Sequence, residues 1–204
     1  MIFKSKKRKG DWIQVHSGIK FYPLDPKPDE IKIEDIAHAL SMQCRFNGHI
    51  KQFYSVAEHS VYVAHIAENI SNIDAFLPGL LHDASETYIG DMVRPVKSDM
   101  KYYRKVEKNI EKVIINKFGL SEKEEVWKAV KKADMMMLSL EHQQLMDKFV
   151  PWDTDILWDT KLNIQCMEPK EAEQFFLDNF RTKGYSFSIT SSDMLYFELE
   201  EFRK

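Results

Sequence analysis

The chain has 204 residues, 44% of them apolar and 12% aromatic, which is enough for one substantial core and calls for no second domain. Its 29 Lys plus Arg stand against 32 Asp plus Glu, so no global basic field suits it to wrapping a nucleic-acid duplex, although a local pocket for a small anion remains open. Cys44 and Cys166, with no secretory signal and no apolar run of membrane-spanning length, point to a soluble protein of the reducing cytoplasm with no membrane partner.

Residues 1–10 carry Lys4, Lys6, Lys7, Arg8 and Lys9, a basic run read as a flexible, solvated tail. Residues 11–34 alternate short apolar pieces with Ser17-Gly18, Pro23, Pro26 and Pro28, the pattern of a small hairpin or an extended segment. Ile33, Ile36, Ala37 and Leu40 then recur as one buried helical stripe, broken by a turn at Arg45-Phe-Asn-Gly-His49. Val56 to about Ile70 repeats that spacing, with Ser55 as N-cap and Glu58 completing a capping box, so His59 falls near the first turn. Ala75 to His82 is short and apolar, which predicts a buried helix that ends on His82 and Asp83.

A long amphipathic helix is expected over Asp99 to Phe118, with Gly119 at its C-cap. Ser121-Glu-Lys-Glu opens another, running through Val126, Val130, Ala133, Met137, Leu140 and Leu145, with Asp134 inside it. Pro151 and Asp153 mark a loop, and Glu168-Pro-Lys-Glu through Phe180 reads as a last helix closed near Gly184. Residues 185–204 suit a short strand as well as a helix, as an extension packed on or beside the domain. The expected fold is all-α, a single compact helical bundle over residues 11–184 with a small N-terminal hairpin.

His82-Asp83 places two metal-binding side chains next to each other, with His59 upstream and Asp134 downstream. Two imidazoles and two carboxylates suit one divalent transition metal, Mn²⁺, Co²⁺, Fe²⁺, Ni²⁺ or Zn²⁺, better than an all-oxygen Ca²⁺ cage. Asp134 has two readings. Among Ala133, Met135, Met136 and Met137 an ionised carboxylate needs a partner such as a metal; alternatively it points outward on a polar stripe with Lys131 and Glu141. His16, His38, His49, His65 and His142 have no adjacent acid in a comparable setting and are read as structural or exposed.

These residues and the words around them resemble the HD-domain phosphohydrolases, a helical superfamily named for an ordered His, His-Asp, Asp metal site. The matching words are Phe53-Tyr-Ser-Val-Ala-Glu-His-Ser60, Leu80-Leu-His-Asp-Ala-Ser-Glu86, Gly90-Asp91, and Asp134 with Glu141, and the likeness runs from about Trp12 to Phe180. Within the superfamily the chain is most similar to bacterial 5'-deoxynucleotidases and phage dATP triphosphohydrolases. The resemblance implies His59, His82, Asp83 and Asp134 as metal ligands, and Glu86 and Asp91 as catalytic residues. It implies a water activated by the metal that attacks phosphorus of a dNTP, dATP favoured, or of a dNMP.

It further implies substrate contacts at Arg45, Phe46, Pro95 and Lys97, to which Lys131 is added as a nearby cation; Arg45 can hold an oxyanion bidentately, and the lysines supply point charges. Mg²⁺ on the substrate phosphates and a homo-oligomer, dimer or hexamer, complete the expectation. Phe46 stands where related enzymes often have Trp, which leaves the base preference open. A signalling hydrolase of alarmones or cyclic nucleotides is the alternative, although Thr87 stands where the alarmone pattern has a second acid and only His142 follows as a further histidine. A non-catalytic nucleotide-binding module of the same fold is a third reading, against which the intact Glu86 and Asp91 count.

Overall fold

In the computed structural model, which describes residues 8–71, 74–148, 150–153 and 162–184, the longest uninterrupted buried run is Tyr54–Ala64. That run supplies the first half of helix α2 (Val56–Ser71), and a helix buried on every side has to lie at the centre of its domain. Helices α1 (Ile33–Met42), α3 (Phe76–Leu80), α7 (Glu124–Leu145) and α8 (Pro169–Gly184) pack around it. One core cluster joins α2 to α1, α3, α8 and Ile110 and Ile114 of α6 (Lys101–Phe118); the other joins α2 to α7 and to Leu162 and Ile164. The short helices α4 (Glu86–Ile89) and α5 (Arg94–Lys97) complete eight helices among the described residues. No helix there is long and apolar enough to cross a membrane.

The expected all-α fold and the small N-terminal hairpin are both present. Strands β1 (Ile13–Gln14) and β2 (Lys20–Phe21) pair antiparallel, Ile13 opposite Phe21. The buried Asp35 of α1 holds the hairpin by accepting the backbone N–H and the hydroxyl of Ser17, at 2.6 and 2.9 Å. The basic run does not behave throughout as a free tail. Arg8 reaches Asp25 at 2.6 Å, pairs with Glu30 and lies over the Tyr22 ring. Residues 1–7 and the 185–204 extension lie outside the described residues.

The end of α3, the start of α7 and the cap of α2 differ from the sequence reading. Helix α3 stops at Leu80, with Pro78 and Gly79, the two weakest helix formers, inside it. His82 and Asp83 therefore sit in the turn between α3 and α4, not on a helix end. Helix α7 starts at Glu124, three residues late, because Lys123 is extended and its N–H goes to Ser121 Oγ. At α2, Ser55 Oγ accepts the Glu58 N–H at 3.1 Å as a capping box requires, but the Glu58 carboxylate does not return to the cap. It accepts the N–H groups of Gln165, Cys166 and Met167 and the Tyr62 hydroxyl, fastening the 162–167 segment to the central helix.

Gly79 sets how closely α3 approaches α2. A Cβ built there would stand 2.8 Å from the Ala64 Cα, so only glycine lets the two backbones touch. The same residue's carbonyl accepts the His82 Nδ1–H at 2.7 Å, which ties the packing distance to the position of that ring. Gly79→Ala is expected to cost ~1–3 kcal/mol of stability, the usual penalty for overpacking, and to move His82 away from His59. Urea denaturation and metal titration of the variant check this; unchanged values in both would contradict the close contact.

Candidate metal centre

The centre is assembled from the first turn of α2, the α3–α4 turn and the middle of α7. His59 is fully buried, and its Nδ1 lies 2.5 Å from Glu141 Oε1, an ionised carboxylate that can only accept. Nδ1 therefore carries a proton, which leaves Nε2 as the nitrogen that can bind an ion. His82 repeats the arrangement through the Gly79 carbonyl. The two rings stand 5.3 Å apart; the buried His59 Nε2 has no hydrogen-bond partner, and the His82 Nε2 faces Asp83 Oδ2 at 3.2 Å. One ligand atom each from His59, His82 and Asp83 lies within 4.8 Å of the others, so these three residues could hold a metal ion. Two imidazole nitrogens turned toward one carboxylate are the donor set a borderline transition metal needs.

Asp134 stands at the edge of this group. Its Oδ1 is 3.5 Å from His59 Nε2, and its Oδ2 bonds Lys131 Nζ at 2.7 Å. One oxygen thus faces the centre and the other the surface lysine of the polar-stripe reading, whereas Glu141, the other member of that stripe, is buried. Burial would raise the Asp134 carboxyl, but contact with His59 and the charge of His82 outweigh it and hold the group well below the usual range. Burial opposes the His82 imidazolium, yet the neighbouring Asp83 carboxylate prevails and raises its pKa to about 9, so before an ion binds Nε2 holds a proton toward Asp83 that a metal has to displace.

Glu141 enters the sequence reading as a member of a polar stripe and as the motif partner of Asp134, with no ligand, catalytic or substrate role. It lies seven residues after Asp134, two helical turns along the same face, and that spacing was the signal. It is fully buried and accepts from His59, from the Tyr54 hydroxyl at 3.0 Å and from Arg45 Nε and Nη2 at 3.1 and 2.8 Å. Burial alone would raise this carboxyl, but Arg45 and His59 hold it below its ordinary value. Arg45 is consequently committed on two of its nitrogens, and only Nη1 turns to the centre, 4.0 Å from Asp83 Oδ2.

Phe46 and Asn47 follow in left-handed backbone, φ 55 and 51, strained for an aromatic residue, with the Phe46 ring beside the Arg45 guanidinium. Glu86 is buried next to Asp83. Its pKa is pushed up to about 10 by burial first, then by the charges of Asp83 and Asp91, with a hydrogen bond to Asp91. Gly90, at φ 70 and ψ 166, makes the reversal between α4 and Asp91 in backbone essentially closed to other residues. Lys97 is engaged elsewhere, 2.6 Å from Glu107, and Pro95 is exposed on α5.

Fold and site together define a helical protein with a two-histidine, one-aspartate candidate metal centre. No protein-family model matches the chain. It is 35% identical over 172 residues to the uncharacterized protein YfdR of Escherichia coli K12, covering 83% of this chain and 93% of YfdR. It is also 37% identical over 142 residues to the uncharacterized protein RCAP_rcc00048 of Rhodobacter capsulatus, covering 66% and 72% respectively. The chain belongs to the family of YfdR.

The raised Glu86 pKa has a consequence for stability. A folded value near 10 against an ordinary 4.5 means that this contribution is complete below 4.5 and is lost as pH rises through 10. In chelator, stability should fall between about pH 6 and pH 9 by up to ~1.4 kcal/mol per unit more steeply in the native protein than in Glu86→Gln. Parallel urea-denaturation profiles for the two would contradict a proton held on Glu86.

Proposed function

We propose that the chain is a metal-dependent phosphohydrolase of the HD-domain superfamily that acts on a deoxynucleotide, dATP being the first candidate and a dNMP the second. The observation that carries this reading is the pair of imidazoles with Nδ1 tied down and Nε2 turned toward Asp83, beside a buried Glu86. Asp134 is proposed as the fourth ligand, its Lys131-bound oxygen staying outside. The ion is taken to be Mn²⁺, Co²⁺, Fe²⁺, Ni²⁺ or Zn²⁺. When bound, such an ion supplies Lewis acidity that polarises a phosphoryl oxygen and lowers the pKa of water.

The protein's own groups then divide the work. Arg45 Nη1, the guanidinium nitrogen that Glu141 does not occupy, is placed to receive a phosphate oxygen. Lys131 adds positive charge at the rim. Glu86 carries a proton at neutral pH and is suited to giving it to the leaving oxygen, with Asp91 holding the carboxyl in orientation. Phe46, half-buried in left-handed backbone with its ring near Arg45 and Trp152, supplies an aromatic face for the nucleoside. Lys97 contributes only if it leaves Glu107, so the proposal does not depend on it.

The test is a panel of dNTPs and dNMPs with Mn²⁺, Co²⁺, Mg²⁺ and Zn²⁺, with phosphate and triphosphate separated as products. Hydrolysis is expected, and Glu86→Ala should reduce kcat by about 10²–10⁴, the usual worth of a general acid or base. Turnover that survives Glu86→Ala unchanged would overturn the assignment.

A further inference from the structure

Helix α6 sorts its charges by face. Lys101, Lys105, Lys108 and Lys112 recur at intervals of four, three and four residues as one exposed stripe. Its two acids turn away from that stripe, Glu107 buried against Lys97 and Glu111 partly buried near both. Across from the stripe, Lys9 and Leu24 form the other wall of a groove of about 360 Å³, with Tyr102, Lys105, Lys108 and Lys112 on the helix side. None of its four lysines has an ion-pair partner among the described residues. Lys9 is placed there because its neighbour Arg8 is clamped to Asp25 and Glu30. Four cations with no ion pair in one groove, of which only Lys108 feels the nearby Glu111, are a local excess in a chain whose formal charge is −3.

We propose that this groove binds single-stranded nucleic acid along its phosphate backbone, independently of whatever the candidate metal centre hydrolyses. From Lys105 to Lys112 the cations spread over about 10 Å of helix at 1.5 Å per residue, so they line up along a chain of phosphates and do not converge on one. Tyr102, 64% exposed, offers a ring on which a base can stack. A cationic groove with an aromatic platform is the arrangement that holds single strands without reading sequence. Walls on both sides suit one strand; a duplex or a bilayer would meet only the rims.

The experiment uses the full chain in chelator, so that the candidate centre is inactive, and a fluorescent oligothymidine of about 12 nucleotides. Anisotropy is read between about 50 and 200 mM salt. Four lysine contacts predict a slope of log affinity on log salt of about −3. Replacing Lys105, Lys108 and Lys112 together by Ala should reduce that slope by about 2 and weaken binding, whereas Arg at the same positions should preserve both. All three lysines are exposed, and circular dichroism confirms that each variant is folded. A triple Ala variant that binds as tightly as the native protein overturns the proposal. So does binding that inorganic triphosphate abolishes at equal phosphate concentration, which marks a small-anion pocket, or binding seen only to anionic vesicles, which marks a membrane face.

Discussion

The buried carboxylate of Glu141 is the interaction on which the rest of the structure depends. It joins the Arg45 turn, Tyr54 and His59 of α2 to α7 through four hydrogen bonds, all on a group with no solvent contact. An isolated charge in that position would cost several kcal/mol, and truncating one partner of such a pair typically costs ~3–5 kcal/mol because the other is left uncompensated. The network is therefore an all-or-none feature. With it, His59 presents Nε2 in a fixed orientation and Arg45 one remaining nitrogen; without it, the buried guanidinium and the imidazole both lose their orientation.

Adjacent positions on α2 divide two tasks. Glu58 and His59 are both fully buried, yet Glu58 binds three successive backbone N–H groups of the 165–167 segment and His59 faces the candidate centre. A central helix can do this because every face has a neighbour. Burial would raise the Glu58 carboxyl, and it does so despite those bonds, so this latch holds a carboxyl whose pKa lies above its ordinary value. Gly79 completes the frame from the other side, its missing Cβ admitting α3 and its carbonyl orienting His82.

What was readable in the sequence was whatever depends on local periodicity or on the order of chemically specific residues. The α1 stripe, the left-handed Gly119 cap at φ 62, the hairpin and the grouping of His59 with His82-Asp83 belong to that class. What was not readable depends on long-range partners. Glu58 reads as half of a capping box because the 165–167 backbone it serves is more than a hundred residues away. Glu141 reads as part of a surface stripe because nothing local announces that Arg45 and His59 will meet it. Helix α3 is shorter than its apolar run because the apolar residues continue into a turn. Arg8 looked like tail because its partners Asp25 and Glu30 lie in an irregular segment.

The central claim is that both histidines hold their protons on Nδ1 and offer Nε2 to one ion. Long-range ¹⁵N NMR of the imidazoles during a zinc titration tests it most directly. One equivalent of zinc should shift the Nε2 resonances of His59 and His82 together and leave both Nδ1–H groups in place. Nε2 signals that do not respond, or a His59 proton found on Nε2 in the zinc-loaded protein, would contradict the account.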